Sequence, residues 1–291
     1  MQVRRFNNPQ EFQNYVQDYL LQHEAEHNLL LGILHSLLHF PERYPERPYL
    51  VVCTTDESEG SGETSGEILA VALRTPPNKL VLSKAVDLEA VKLIAQDLQN
   101  AAEALPGVSG LVAEVETFLQ AWQTLTHQPF HRMMEMRIYQ LTQVNAVPGV
   151  RGHLRQATAA DRPLLVDWFT AFGSEIKGVM REPPEKLADI GLKRQSIHLW
   201  EDGVPVSWAS GSQSLPTAAR IGPVYTPPAY RRKGYATACV AALSQKFLDQ
   251  GCDRCFLFTD LANPTSNHIY QQIGYYPICD WHDYSFTAAQ D

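Results

Sequence analysis

Arg231, Arg232 and Lys233 stand directly before Gly234, inside the stretch Thr226 to Thr237 that reads TPPAYRRKGYAT. An apolar run, Ile221 to Tyr225, leads into it. Ala236, Val240, Leu243 and Phe247 follow at helical spacing. The local order is therefore strand, tight basic loop, helix. Such a loop aims backbone N–H groups and the positive end of a helix at one point, which suits a phosphate. Gly234 has no Cβ, so the backbone there can come close to an anion. The three cationic side chains add charge. A solvated basic turn is the plain alternative.

A second segment has chemical potential. Asn263 is a good helix N-cap and Pro264 suits the first helical position. Ile269, Tyr270 and Ile273 share a face, and Gly274 can stop the helix. Tyr270 brings a phenol, which stays protonated near neutral pH.

Together the two segments resemble the GNAT superfamily of acyl-CoA-dependent N-acyltransferases. Arg231-x-x-Gly234-x-Ala236 is similar to that family's Arg/Gln-x-x-Gly-x-Gly/Ala signature. The Asn263 to Tyr275 segment is similar to its Asn…(Leu/Ile)-Tyr-x-x-x-Gly-(Phe/Tyr) hallmark. The resemblance implies an α/β (α+β) fold, with a mixed, mostly antiparallel sheet flanked by helices. It implies that acetyl-CoA is the cosubstrate. It also implies that the strand before the loop parts from its neighbour, and that the acyl-pantetheine lies in the gap. Val224, Tyr225 and Thr226 would then bind the pantetheine arm or acyl carbonyl through backbone groups. Arg232, Lys233, Gly234, Tyr235, Ala236 and Thr237 would surround the pyrophosphate through backbone N–H groups, and Arg231 would add charge to the same cofactor site. Asn263 and Asn267 would bond the pantetheine or cap their helix, with capping the safer role for Asn263. Tyr270 matches the family's usual proton donor to the departing thiolate.

A general base is not readable. The strand before the loop offers no acid, and Glu175, Glu201 and Asp260 read more simply as surface carboxylates. His268 reads as a surface or packing histidine. No metal is expected: Cys252 and Cys255 have CxxC spacing, but no second pair stands near them.

The chain has 291 residues, 44% of them hydrophobic and 19% charged, which is globular composition and enough length for two domains. A formal net charge of -8 argues against bulk attraction to nucleic acid. The start lacks an apolar core, and the greasiest stretch, Leu29 to Phe40, is too short for a bilayer and contains His35 and His39. Five scattered cysteines read as reduced thiols, so the expectation is a cytoplasmic protein without a membrane partner.

The elements that must position the site recur in order. Strands are expected at Val3 to Phe6, Tyr49 to Cys53, Ile68 to Leu73, Lys79 to Leu82, Val108 to Val112 and Arg132 to Leu141, with helices between. In the last of these, Met134, Met136 and Ile138 alternate as a core face. Asp56 to Glu67 reads as an acidic, Gly/Ser-rich loop. The stretch 143–150, with Pro148-Gly149, is expected to be a linker. Then come strand His153 to Ala157, a helix capped by Thr158 and Asp161, and a hairpin turning at Asp202-Gly203. Pro223 argues for a bulge or a missing ladder bond in the strand before the loop. The last strand is Tyr276 to Phe286.

Both halves read alike in element order. We therefore expect two tandem GNAT-like domains, a degenerate copy at 1–142 and an acetyltransferase domain at 151–291. In the first, strand Lys79 to Leu82 runs into Ser83-Lys84-Ala85-Val86-Asp87 without a glycine, so the phosphate loop is absent. The expected activity is acetyl transfer from acetyl-CoA to a primary amine, a small molecule or a peptide amine, by direct attack. The rivals are a non-catalytic acyl-CoA-binding or assembly module and a tandem-GNAT aminoacyl-transferase. Acceptor loops are expected at Phe172 to Glu185 and Ser212 to Ala218. The oligomeric state is open, a homodimer being one arrangement.

Overall fold

In a computed structural model, which describes residues 1–56, 66–102, 104–176 and 182–287, the chain alternates strands and helices. It runs β1 Gln2–Phe6, α1 Pro9–Gln22, α2 Glu24–His39, β2 Tyr49–Thr54, β3 Ile68–Arg74 and β4 Leu80–Leu82. Next come α3 Leu88–Asn100, β5 Gly107–Leu111, α4 Val112–Thr126 and β6 Phe130–Leu141. After these come β7 His153–Gln156, α5 Arg162–Glu175, α6 Pro184–Lys193, β8 Ile197–Glu201 and β9 Pro205–Ser212. The chain ends with β10 Ala218–Tyr225, α7 Tyr235–Asp249, β11 Arg254–Asp260, α8 Pro264–Ile273 and β12 Tyr276–Phe286. Most of the acidic loop expected at Asp56 to Glu67 lies outside the described residues.

The chain divides into two units. The first is Met1–Ile138 with Thr259–Ala262 and Pro277–Asp291; the second is Tyr139–Phe258 with Asn263–Tyr276. This differs from the expected boundaries of 1–142 and 151–291. Nearly all of β12 packs with the first unit, although it comes last in sequence. It pairs antiparallel with β5, Trp281 opposite Leu111 and Tyr284 opposite Val108. Trp281 is fully buried, and its indole Nε1–H donates to Ser109 Oγ at 2.6 Å. Lys79 pairs with Asp283 at 2.8 Å.

In the first unit the strand order is β1-β2-β3-β4-β5-β12-β6. β1, β2, β3 and β4 are antiparallel in sequence, while β4 and β5 are parallel. Every residue of β2 is buried, and α3 and α4 place Ile94, Leu98, Phe118 and Trp122 in the same core cluster as β2's Val51. On β6 the expected core face is only partly realised: Ile138 is fully buried, whereas Met134 and Met136 are half-buried.

In the second unit the order is β11-β10-β9-β8-β7. β8 and β9 form the hairpin expected at Asp202-Gly203, with Gly203 at φ 70°. One face of this sheet carries α7 and α8, through Leu243, Phe247, Tyr270 and Ile273. The other carries α5, whose Phe169 packs on the fully buried Trp208 with ring centroids 4.7 Å apart. The stretch 143–150, expected as a linker, is packed instead. Val144, Val147 and Val150 lie against the α7 face, and the Asn145 N–H donates to the Ile273 carbonyl at 2.8 Å. Its valines recur every third residue, so the stretch is a packed segment and not a free tether.

The entry to α5 gives a pH prediction. Asp161 Oδ2 accepts from the Thr158 N–H at 2.7 Å, closing the expected capping box. The Arg155 guanidinium reaches both Asp161 oxygens at 2.8 Å and also pairs with Glu201. Arg155, aided by Thr158, holds the Asp161 carboxyl down to about 2, from an ordinary value of 3.8. A carboxyl lowered by folding stabilises above its unfolded value and loses that contribution as pH falls through its folded value. At pH 7 this amounts to roughly 2 kcal/mol. In urea titrations, Asp161→Asn should be less stable than wild type by about that much at pH 7. The gap should close progressively below pH 3.8; a gap unchanged with pH would remove the assignment.

Candidate active site

β10 carries the geometry of the site. It pairs in parallel with β11 only at Ala218, Arg220 and the residue between them, opposite Arg254 to Phe256. From Ile221 to Tyr225 no ladder to β11 is formed among the described residues. On its other edge β10 stays paired with β9, through a register shift between Ile221 and Val224. Pro223, which has no N–H to give a ladder, sits in that shift, as expected. The two strands thus part beyond Arg220, and one edge of β10 is left to face a gap.

The loop that leaves β10 is braced from several sides. Thr226 Oγ1 and Ser207 Oγ are hydrogen-bonded at 2.8 Å, and Ser207 Oγ–H also approaches the Tyr225 carbonyl at 3.1 Å. Tyr225 is buried among Trp168 and Phe172 of α5. Arg231 does more internal work than its place in the motif suggests. Its Nε donates to the Thr226 carbonyl at 2.8 Å, closing the loop. Its Nη2 donates to both Glu175 oxygens, at 2.6 and 2.8 Å. Arg232 and Lys233 remain exposed, with Arg232 at φ 63°.

Gly234 is the hinge into α7. It stands at φ 82°, ψ 0°, and no side chain caps the helix. The N–H groups of Tyr235, Ala236 and Thr237 therefore open the helix with its positive end uncovered. A Cβ on Gly234 would meet Val150 Cγ2 at 2.9 Å. Tyr235 anchors the first turn, its hydroxyl donating to Asp202 Oδ2 at 2.7 Å. Thr237 is buried. From Gly203 to Leu248 there is no Asp or Glu, although the chain's formal net charge is -8. Arg231, Arg232 and Lys233 thus stand in a stretch with no carboxylate of its own, while Glu175 and Asp202 reach Arg231 and Tyr235 from elsewhere in the fold. An uncapped helix start, a glycine with positive φ and neighbouring cationic side chains suit an anion such as a phosphate group.

The first unit has the opposite arrangement at the matching place in its order. After β4 the Lys84 N–H donates to His27 Nε2 at 3.0 Å, and the Ala85 N–H donates to Glu114 Oε1 at 2.9 Å. Burial drives His27 down to about 4, so the ring is neutral and can accept. The Asp87 side chain caps α3 by accepting from the Glu89 N–H at 2.9 Å. Here the protein's own acceptors fill the N–H groups, and a carboxylate stands where an anion would bind.

α8 supplies the remaining candidates. Asn263 Oδ1 accepts from the Ser266 N–H at 3.1 Å, so its side chain caps the helix. Asn267 Nδ2 donates to the Asn263 carbonyl at 2.9 Å. Gly274 ends α8 at φ 115°, where a Cβ would meet the Gln143 carbonyl oxygen at 2.7 Å. Tyr270 lies in one apolar cluster with Val224 of β10 and Ala238 of α7, its ring edge-on to Tyr275. Among the described residues its hydroxyl has no hydrogen-bond partner. Burial pushes its pKa up to about 12. It is a phenol held as an acid, aimed at no internal acceptor.

Residues 164–275 match the family described as Acetyltransferase (GNAT) family. They form a GNAT domain. The match spans the parted strands, the loop, α7 and α8 of the second unit. A comparison with curated proteins finds no match. Among solved structures, the chain is similar to a GCN5-related N-acetyltransferase from Sphaerobacter thermophilus, with TM-score 0.60 and 15% identity, covering 98% of this chain and 95% of that one. It is similar to a GNAT-family acetyltransferase from Colwellia psychrerythraea, with TM-score 0.53 and 12% identity, over 98% and 99% of the two chains. It is also similar to a tandem GNAT protein from the clavulanic acid biosynthesis pathway, with TM-score 0.55 and 10% identity, over 100% and 99%. These likenesses extend the GNAT fold across the N-terminal half. They show a mixed α/β fold that matches the expected tandem; the family match at residues 164–275 supports acyl transfer in general terms.

The carboxylates weighed as bases are occupied. Glu175 holds Arg231, Glu201 holds Arg155, and Asp260 Oδ1 accepts from the Ala262 N–H at 2.8 Å. Cys252 and Cys255 are buried thiols. Among the described residues no group of three or more His, Cys, Asp or Glu converges as a metal site, and no helix is long and apolar enough to cross a membrane. The bracing pairs Ser207–Thr226, Asp202–Tyr235 and Glu175–Arg231 were missed in the sequence.

Proposed function

We propose that the GNAT domain transfers an acetyl group from acetyl-CoA to a primary amine by direct attack of the amine. The observation that carries this reading is the parting of β10 from β11 beside the uncapped start of α7. One gap thus offers both an anion cradle and an unladdered strand edge.

In this reading the N–H groups of Arg232 to Thr237 hold the diphosphate of coenzyme A. The exposed guanidinium of Arg232 and ammonium of Lys233 add attraction. The edge of Val224, Tyr225 and Thr226 lines the pantetheine arm, and a backbone N–H there bonds the thioester carbonyl oxygen as charge builds on it. Asn267 borders the same arm, while Asn263 serves as a cap. The cosubstrate supplies the activated acyl group. Tyr270 gives its proton to the departing sulfur; with its pKa near 12 it carries that proton throughout the physiological range. Glu175, Glu201 and Asp260 are each engaged elsewhere, so in this reading the amine arrives neutral or loses its proton to water. Arg231 braces the loop through Glu175 and Thr226 and does not grip phosphate directly.

The test is a panel of primary amines incubated with acetyl-CoA and the full chain. Release of free coenzyme A thiol and an added acetyl mass on one amine are the expected results. Tight acetyl-CoA binding without any acetylated amine would instead favour a non-catalytic binding module.

A further inference from the structure

Arg220 is the residue at which β10 and β11 part. It pairs with Phe256, and the ladder ends there. Its other cross-strand partner is Ser212, at the root of the Ser212 to Ala218 loop. Cross-strand partners share a face, so Arg220 lies on the side of Trp208 and Tyr225, which α5 covers. Ile221 and Val224 point to the opposite side, toward α7. The guanidinium lies 5.5 Å from the Phe258 ring centroid on β11. Arg220 is therefore fixed at the floor of the gap, on the face away from α7 and its anion cradle.

Its charge is not answered by the protein. Among the described residues Arg220 has no carboxylate or hydrogen-bond partner. Burial alone brings it down to about 10, so it is still a cation near neutral pH. Arg220 is half-buried, and among the described residues none of its nitrogens is sealed from solvent without a partner, so an anion arriving from solvent can reach it. No acid in the stretch from Gly203 to Leu248 could pair with it. The aromatic face of Phe258 orients the guanidinium without neutralising it. A guanidinium fork suits a planar anion that can take two N–H bonds.

We propose that Arg220 anchors the acceptor, binding a carboxylate carried by the amine that is acetylated. The acceptor class is thus an amino acid or a similar amino-carboxylate. The proposal rests on the acetyl-transfer reading above and narrows it. The same cation disfavours a protonated amine beside it, which suits a site without a general base.

The experiment compares matched acceptors: α-amino acids against the amines left by removing their carboxylate, leucine against isoamylamine and phenylalanine against phenethylamine. Wild type, Arg220→Met and Arg220→Lys are assayed for acetyl transfer, and each is titrated with acetyl-CoA by calorimetry. Wild type should prefer the carboxylate-bearing member by about 10- to 100-fold in kcat/KM, the range of a charge-assisted pair. Arg220→Met should lose that preference and Arg220→Lys should keep part of it. Acetyl-CoA affinity should be unchanged in all three proteins. A wild type that uses the plain amines equally well or better, that acetylates no amino-carboxylate, or whose preference survives in Arg220→Met, overturns the proposal. The calorimetry separates the two claims: absent acetyl-CoA binding by wild type strikes the acetyl-transfer reading itself, whereas intact binding without a carboxylate preference strikes only Arg220.

Discussion

Gly234→Asp should weaken acetyl-CoA binding by a factor of about a hundred or more. The added carboxylate would sit at the opening of α7, among the N–H groups that face the diphosphate. Two charges 4 Å apart interact by about 4 kcal/mol near a protein surface, and each 1.4 kcal/mol is tenfold in affinity. The backbone adds a smaller cost. Gly234 stands at φ 82°, a left-handed conformation that costs a residue with a side chain about 1–2 kcal/mol, with Asp and Asn among the better tolerated. Val150 Cγ2 must also give way, since an ideal Cβ would approach it to 2.9 Å. Gly234→Asn therefore makes the control, with the same shape and the same backbone cost but no charge. Both variants should melt a few degrees early. Calorimetric titration should show the asparagine form binding much more tightly than the aspartate form. Equal affinities in the two would place the diphosphate elsewhere.

Tyr270→Phe should lower kcat by about 10²- to 10³-fold while leaving acetyl-CoA affinity nearly unchanged, the usual scale for a positioned general acid. The substitution is unusually clean. The hydroxyl has no protein hydrogen bond among the described residues, so its loss strands no partner and should not lower the melting temperature. The ring's packing on Tyr275 is kept. With a pKa near 12, ionisation of Tyr270 should not limit the rate below about pH 10. Equal kcat in the two proteins would leave Tyr270 as a packing residue and give proton delivery to water.

What could be read in the chain was local. The bulge at Pro223, the turn at Asp202-Gly203, the glycine hinge at Gly234 and the Asn263 cap all follow from residues adjacent in sequence. Partners far apart were not legible. Tyr276 to Phe286 reads as the final strand, yet nothing in its sequence says that Trp281 will lie against β5. The lost cradle of the first unit was visible as a missing glycine. Its replacement was not: His27 and Glu114 come from α2 and α4 and meet the Lys84 and Ala85 N–H groups only after folding. The same holds for Arg231. The motif places it, but only the fold brings Glu175 to its guanidinium. Of the expected acceptor loops, residues 177–181 lie outside the described residues, and Ser212 to Ala218 contributes a neighbour to Arg220.

The central claim is that the turn from β10 into α7 holds the diphosphate of coenzyme A. A crystal structure of the full chain soaked with coenzyme A tests it most directly. The account predicts diphosphate oxygens within hydrogen-bond distance of the backbone N–H groups between Arg232 and Thr237, with the pantetheine arm running along Val224 to Thr226. Coenzyme A bound elsewhere on the chain, with this turn left bare, would contradict it.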